Sequence, residues 1–286
     1  MNSKEEMNMQ GHENTKGKES PKTIEQRLND VRGMIEEACR KAGRSPEEVI
    51  LVAVSKTKPT RMIREALAAG QLHFGENRAQ ELESKMEEIA QMDGIAKFEG
   101  KSQVDGIAQV DGIAQVDEIA KVDAKNHPGI QWHFLGYLQK NKIKYIADGV
   151  HWIDSVQKVS ALEEAEKRAA AAGREIRVLI QVNISGEDQK SGCEPEELAT
   201  ILKAGNAMSH VRVSGLMGMA TFTEDREQIR REFAMLRKLR DSHAGLCEPP
   251  HELTHLSMGM SNDFDIAIEE GSTMVRVGSA IFGTRD

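Results

Sequence analysis

Residues 49–77, VILVAVSKTKPTRMIREALAAGQLHFGEN, decide the fold. A near-continuous apolar run, VILVAVSK (49–56), breaks at Pro59. Helical periodicity follows through TRMIREALAAG (60–70), and a second short run, LHFGEN (72–77), resumes the extended pattern. A strand with no polar alternation expects cover on both faces, as in a parallel sheet wrapped by helices. Outward from this unit the same alternation repeats. Further strands are expected at 131–136, 149–156, 176–184, 212–220, 253–260 and 273–278. The intervening stretches, such as 156–173 and 225–243, carry helical spacing. Ile24, Leu28, Val31, Ile35 and Ala38 form one apolar stripe on a first helix that Gly43 ends. About eight strand–helix units in 286 residues predict a single α/β domain, a (β/α)8 TIM barrel. The competing doubly wound sheet usually has fewer strands, and no GxGxxG follows the first strand.

Composition narrows the function classes. The formal charge is −8, with no basic stripe, so nucleic acid and anionic membranes are not expected partners. The three cysteines, Cys39, Cys193 and Cys247, are scattered and show no CxxC spacing, which argues against a disulfide framework or a zinc site and for a reducing cytoplasm. No secretory leader and no bilayer-spanning apolar run is seen. Residues 1–20 are polar and read as a disordered tail ahead of a barrel over 21–286.

One segment breaks the rhythm. Residues 92–121 divide into hexads, MDGIAK, FEGKSQ, VDGIAQ, VDGIAQ and VDEIAK. The apolar spacing fits neither a helical face nor strand alternation, and each glycine weakens a helix by about 1 kcal/mol. A surface insertion at about 92–125, partly helical or disordered, is expected between a helix and the third strand. In a barrel that is the N-terminal face, opposite the usual active site.

Polar groups gather where strands should end: Lys56, Glu76, Asn77, His133, Asp154, Ser155, Asn183, Ser257, Ser261, Asn262, Asp263 and Arg276. Lys56 shares strand parity with Val52 and Val54 and so should point inward with them. Burial there would disfavour its charge and free the amine to attack a carbonyl, and the aldehyde such a lysine most often holds is pyridoxal phosphate (PLP). The same stretch also fits a snorkelling lysine at a strand end. Gly278 and Ser279, in VRVGSAIFG, stand at a strand-to-helix turn of the kind that takes a phosphate, or at a plain glycine turn. Arg276 reads either as a ligand contact or as a buried arginine paired with Asp154. His133 reads as an acid/base group or a barrel-lining structural histidine. Charged runs on the helices read as solvated faces.

AVSKTKP, FGEN, WHFLGYLQKNK, LIQVNIS, KSG, GLMGM, LSMGMSND and GSTMVRVGSAIFG occur in this order across residues 24–286. In them the chain resembles the pyridoxal phosphate homeostasis proteins, also called the proline synthase co-transcribed homologue family. The resemblance implies a barrel like the N-terminal domain of alanine racemases. It implies a protein of vitamin B6 and amino-acid homeostasis that holds pyridoxal 5'-phosphate as a Schiff base on Lys56, without robust catalysis. It also implies phosphate contacts from Ser257, Ser261, Gly278 and Ser279, with Arg276 on the pyridine side and Asn77 lining the pocket. No metal is implied. PLP-dependent apoenzymes are the candidate acceptors, and a monomer is expected. The chain departs from the family at Arg78, where an aromatic residue is common, and in the hexads. The alternative is a PLP-dependent amino-acid racemase. Racemisation needs acid/base groups on both faces of the substrate carbon. In alanine racemases one is a tyrosine of a second domain, for which a chain ending at Asp286 has no expected room.

Overall fold

The computed structural model describes residues 21–101, 129–187 and 191–284. The tail expected at 1–20 and the hexads beyond Lys101 lie outside these residues. The eight strands are β1 (Ile50–Val54), β2 (His73–Glu76), β3 (Gln131–Phe134), β4 (Trp152–Val156), β5 (Ile176–Gln181), β6 (Val211–Met217), β7 (His255–Met260) and β8 (Met274–Val277). Each pairs in parallel with the next, and β8 returns to β1 through Val52 opposite Arg276, so the barrel closes.

Two cores follow from strand parity. Ala53, Phe74, Trp132, Phe134, Ile153, Val178, Ile180, Val275 and Val277 belong to the large core between the strands and the helices. Ile50, Trp152, Leu179, Met217 and Met274 form a second, smaller cluster in the barrel lumen. The strands are apolar on both faces because both faces are covered.

The helix Ile24–Ala42 shows how local signals are met. Thr23 and Gln26 form a capping box at its start. Gly43, at φ 66°, ends it, and the following Arg44 N–H closes back on Cys39 O. Its buried stripe of Ile24, Leu28, Val31, Ile35 and Ala38 is the one the spacing predicts. Full burial of Leu28 alone contributes about 1.5–3 kcal/mol.

The helix Ala79–Lys101 has 23 residues, against 9 to 18 for Thr60–Ala68, Val159–Ala171 and Arg226–His243. It begins just after the C-terminal end of β2 and runs about 35 Å, carrying the chain through the first ten residues of the hexads. Among the described residues, no helix is long and apolar enough to cross a membrane.

Candidate functional site

Lys56 lies just past the end of β1. Val54, two residues earlier, lines the same cavity, so the parity argument holds through the strand end. The chain then turns sharply. Ser55 N–H donates to Gly75 O of β2, and Lys58 N–H donates back to Ser55 O across Lys56 and Thr57. Thr57 sits at φ 63°, the left-handed region that a β-branched residue rarely occupies and that costs about 1–3 kcal/mol. Pro59 precedes the helix Thr60–Ala68, where its fixed φ and missing N–H are harmless. Lys56 is thereby presented from a strained turn anchored to β2, not from a loose loop.

The cavity at this end of the barrel has a volume of about 390 Å³. Five more of the residues singled out from the sequence reach it: Asn77 after β2, Ser261 after β7, Arg276 on β8, and Gly278 and Ser279 at the turn beyond. Leu135, Met217, Met219 and Met260 supply its apolar wall. Gly136 lets the β3 end approach β2 closely, since a Cβ there would fall 1.9 Å from Asn77 O. The first N–H groups of the helix Ser279–Phe282 have no intrahelical acceptor. The lining carries three cations, Lys56, Lys58 and Arg276, and among the described residues no carboxylate, on a protein of net charge −8. Such a concentration of positive charge at the mouth of an acidic molecule fits a small anionic ligand.

Arg276 is 4% exposed. Its Nη1–H donates to Ser257 Oγ at 2.7 Å and its Nη2–H to Gly218 O at 3.0 Å. Burial disfavours its charge, while Asp154 and Asp263 support it. The Arg276–Asp154 ion pair, the structural alternative, is not formed. Asp154 instead accepts from His133 Nδ1 at 3.1 Å, with both side chains fully buried. His133 Nε2 lies 3.0 Å from His73 Nδ1, and its ring stacks on Trp152. His133 is thus a structural histidine beneath the cavity. Ser257 is fully buried and reaches the cavity only through Arg276.

Other rim candidates leave the site. Glu76 faces the helix layer and accepts from Lys85 Nζ and Ser55 Oγ. Ser155 Oγ donates to Gly136 O, and Asn183 Nδ2 donates to Glu187 O and Glu194 Oε1. Asn262 lies in a separate groove beside the first helix. Lys85 is an exception to the reading of helical charges as solvated faces: it is 5% exposed, on one helical face with Leu82, Met86 and Ile89. Thr57, Lys58, Leu135 and Gly283 also line the cavity. Lys58 Nζ donates to Thr284 O, tying the β1 turn to the chain beyond the helix Ser279–Phe282.

The alanine racemase N-terminal domain family matches residues 30–286. A pyridoxal phosphate homeostasis protein of Pseudomonas aeruginosa is 36% identical over 92% of this chain and 96% of its own. PipY of Synechococcus elongatus, solved with PLP bound, is 30% identical at a TM-score of 0.68, covering 91% of this chain and all of its own. An alanine racemase of Clostridium difficile shares the fold at a TM-score of 0.59 and 12% identity, with 90% of this chain spanning 60% of that one. A closed eight-stranded barrel, a lysine at the end of β1 and this near full-length similarity agree, and the chain belongs to the alanine racemase N-terminal domain family and, within it, to the pyridoxal phosphate homeostasis proteins.

Proposed function

We propose that the cavity binds pyridoxal 5'-phosphate and that the protein acts in the cytoplasm in PLP and amino-acid homeostasis, holding the cofactor for PLP-dependent apoenzymes. The observation that carries this is the lining itself, with three cations, no acid among the described residues, and a lysine at the strand end. The donor set suits the group. Lys56 takes the aldehyde covalently through its amine. Ser261 and the Gly278–Ser279 turn hold the phosphate, and Asn77 lines the ring's pocket. Arg276 faces the pyridine side, with Ser257 and Gly218 O fixing its plane.

When bound, the cofactor supplies an electrophilic carbon and an electron-withdrawing ring. A guanidinium beside the ring nitrogen cannot act as the carboxylate that would keep that nitrogen protonated, so it leaves the ring a weak electron sink. No carboxylate, histidine or tyrosine lines the cavity among the described residues. Racemisation would need such a group facing Lys56 across the substrate. Both features favour holding over turnover, as does a similarity that spans 96% of a homeostasis protein. A monomer suffices for this role.

Visible absorbance of the purified protein with pyridoxal 5'-phosphate, before and after borohydride, tests the reading when followed by peptide mapping. The expected adduct is on Lys56. An adduct on Lys58, or on no lysine, refutes the assignment.

A further inference from the structure

The residues on either side of Lys56 are gripped by a partly buried ionic cluster that cofactor contact alone does not require. Lys85 Nζ donates to Ser55 O at 2.8 Å, Glu76 Oε1 at 2.6 Å and Glu81 Oε1 at 2.7 Å, which uses all three of its donors. Ser55 Oγ also donates to Glu76 Oε1. Glu81 Oε1 accepts in addition from the backbone N–H of Thr57 at 2.5 Å. One helical turn of Ala79–Lys101 therefore holds the residue before Lys56 by its carbonyl and the residue after it by its amide.

This is a costly arrangement if packing were its only purpose. Two carboxylates share one lysine, and Glu76 Oε2 is buried without a partner. Burial pushes the Glu76 carboxyl up, against the pull of Lys85 and Ser55. Burial also opposes ionisation of Glu81, but bonds from Lys85 and Thr57 outweigh it and hold that carboxyl below its ordinary range. Buried ion clusters are commonly no more stabilising than apolar residues of the same volume. What the cluster supplies is direction. The charge-assisted bond from Thr57 N–H to Glu81 opposes relaxation of the left-handed Thr57, and hence of the Lys56 turn.

We propose that Glu81 and Lys85 are positioning residues, which lock the turn so that the Lys56 amine is aimed at the aldehyde of the bound cofactor. The proposal rests on the reading of the cavity given above. It separates two parts of binding. Phosphate contacts come from the ends of β7 and β8, apart from the clamp, whereas the covalent bond depends on where Lys56 points.

Glu81→Ala tests it, read with two ligands: pyridoxal 5'-phosphate, and pyridoxine 5'-phosphate, whose alcohol cannot bond to the amine. The expected result is a loss of about tenfold or more in affinity for the aldehyde, the scale on which small misplacements act, with affinity for the alcohol within twofold of wild type. Glu81→Gln, whose amide oxygen still accepts from Thr57, should restore most of the difference. Should Glu81→Ala not fold, Glu81→Met keeps the bulk without the acceptor and is read in the same way. Equal losses for both ligands, or none for either, overturn the positioning role. A wild-type protein that forms no adduct at Lys56 overturns the reading of the cavity, and the positioning role with it.

Discussion

Arg276→Gln separates ligand binding from structure more sharply than any other single change. The guanidinium makes two hydrogen bonds, to Ser257 Oγ and Gly218 O. Bonds from a charged group contribute about 1.5–3 kcal/mol each, so their complete loss would cost about 3–6 kcal/mol. Two effects offset that loss. The glutamine amide can restore one neutral bond, worth about 1 kcal/mol. Removing a buried charge also recovers a desolvation penalty of several kcal/mol. Among the described residues no carboxylate lies within ion-pair distance of Arg276, so the change leaves no buried partner stranded there, and Asp154 keeps His133. The net stability change should therefore stay within about 2 kcal/mol, or at most about 8 °C in Tm for a chain of this size. For the bound cofactor no such offset exists. A lost charged contact of about 1.5–3 kcal/mol weakens affinity about 10- to 150-fold. Titration with pyridoxal 5'-phosphate and a thermal melt of the apoprotein measure the two quantities. Affinity within threefold of wild type, together with a melting loss beyond about 10 °C, would show that Arg276 is structural and would refute the reasoning.

Lys56→Ala should abolish both the visible absorbance and borohydride trapping while the protein stays folded; trapping that persists on Lys58 would move the site by two residues. Replacing residues 102–128 by a short polar linker should leave cofactor affinity unchanged, because the segment joins the foot of the helix Ala79–Lys101 to β3 and loop closure changes by only about 0.6 kcal/mol per doubling of length. A tenfold loss with the fold preserved would place the repeat near the site. Burial lowers His73 to about 3 and His151 to about 4, below the ordinary 6.5, so below that pH the unfolded chain takes up protons that the folded one refuses. Stability should be full above about pH 6.5 and fall with pH below it, by about 1.4 kcal/mol per unit for each group. Melts from pH 7 to 5 that stay flat, or a His73→Gln slope as steep as wild type, would contradict this.

The barrel was legible because its strands are short, apolar on both faces and regularly spaced, which is the pattern a covered parallel sheet imposes. Their ends were less so. The fifth strand reads to Ile184, but β5 stops at Gln181, after which Val182 bridges to Cys193 and the chain leaves the barrel. Parity turned Lys56 inward, and it lines one cavity with Asn77 and Arg276, which the strand ends and the resemblance had named. Parity also explains the misplaced neighbours, since a one-residue step flips the face: Asn77 meets the cavity, and Glu76 beside it meets Lys85. Depth was invisible. His133 does point into the lumen, yet it lies level with Trp152, below the cavity, and spacing along one strand says nothing of height relative to another. The clamp was hidden for a further reason. Its members come from 55–57, 76 and 81–85, and the short bonds that join them arise only when β1, β2 and the following helix are packed together.

The polar lumen bears on how a buried guanidinium survives without an ion pair. Barrel interiors are ordinarily filled by branched aliphatic side chains. Here the layer beneath the cavity holds Trp152 with the His133 ring parallel to it at 5.3 Å, the His255 ring edge-on at 5.2 Å and the Arg177 guanidinium 5.1 Å from its centroid. Asp154, a buried acid beside this layer, is fixed by His133, which is fixed in turn by His73. An acid so held cannot swing onto Arg276 and neutralise it. It still lends the guanidinium a favourable field from below, and Ser257 and Gly218 O hold the guanidinium by neutral bonds. Arg276 therefore keeps its charge largely uncompensated toward the cavity, where an anionic ligand would supply the missing counter-charge. On this account the histidines act on the site without touching it: they keep Asp154, one of two buried acids that support the Arg276 charge, from occupying the place of the ligand.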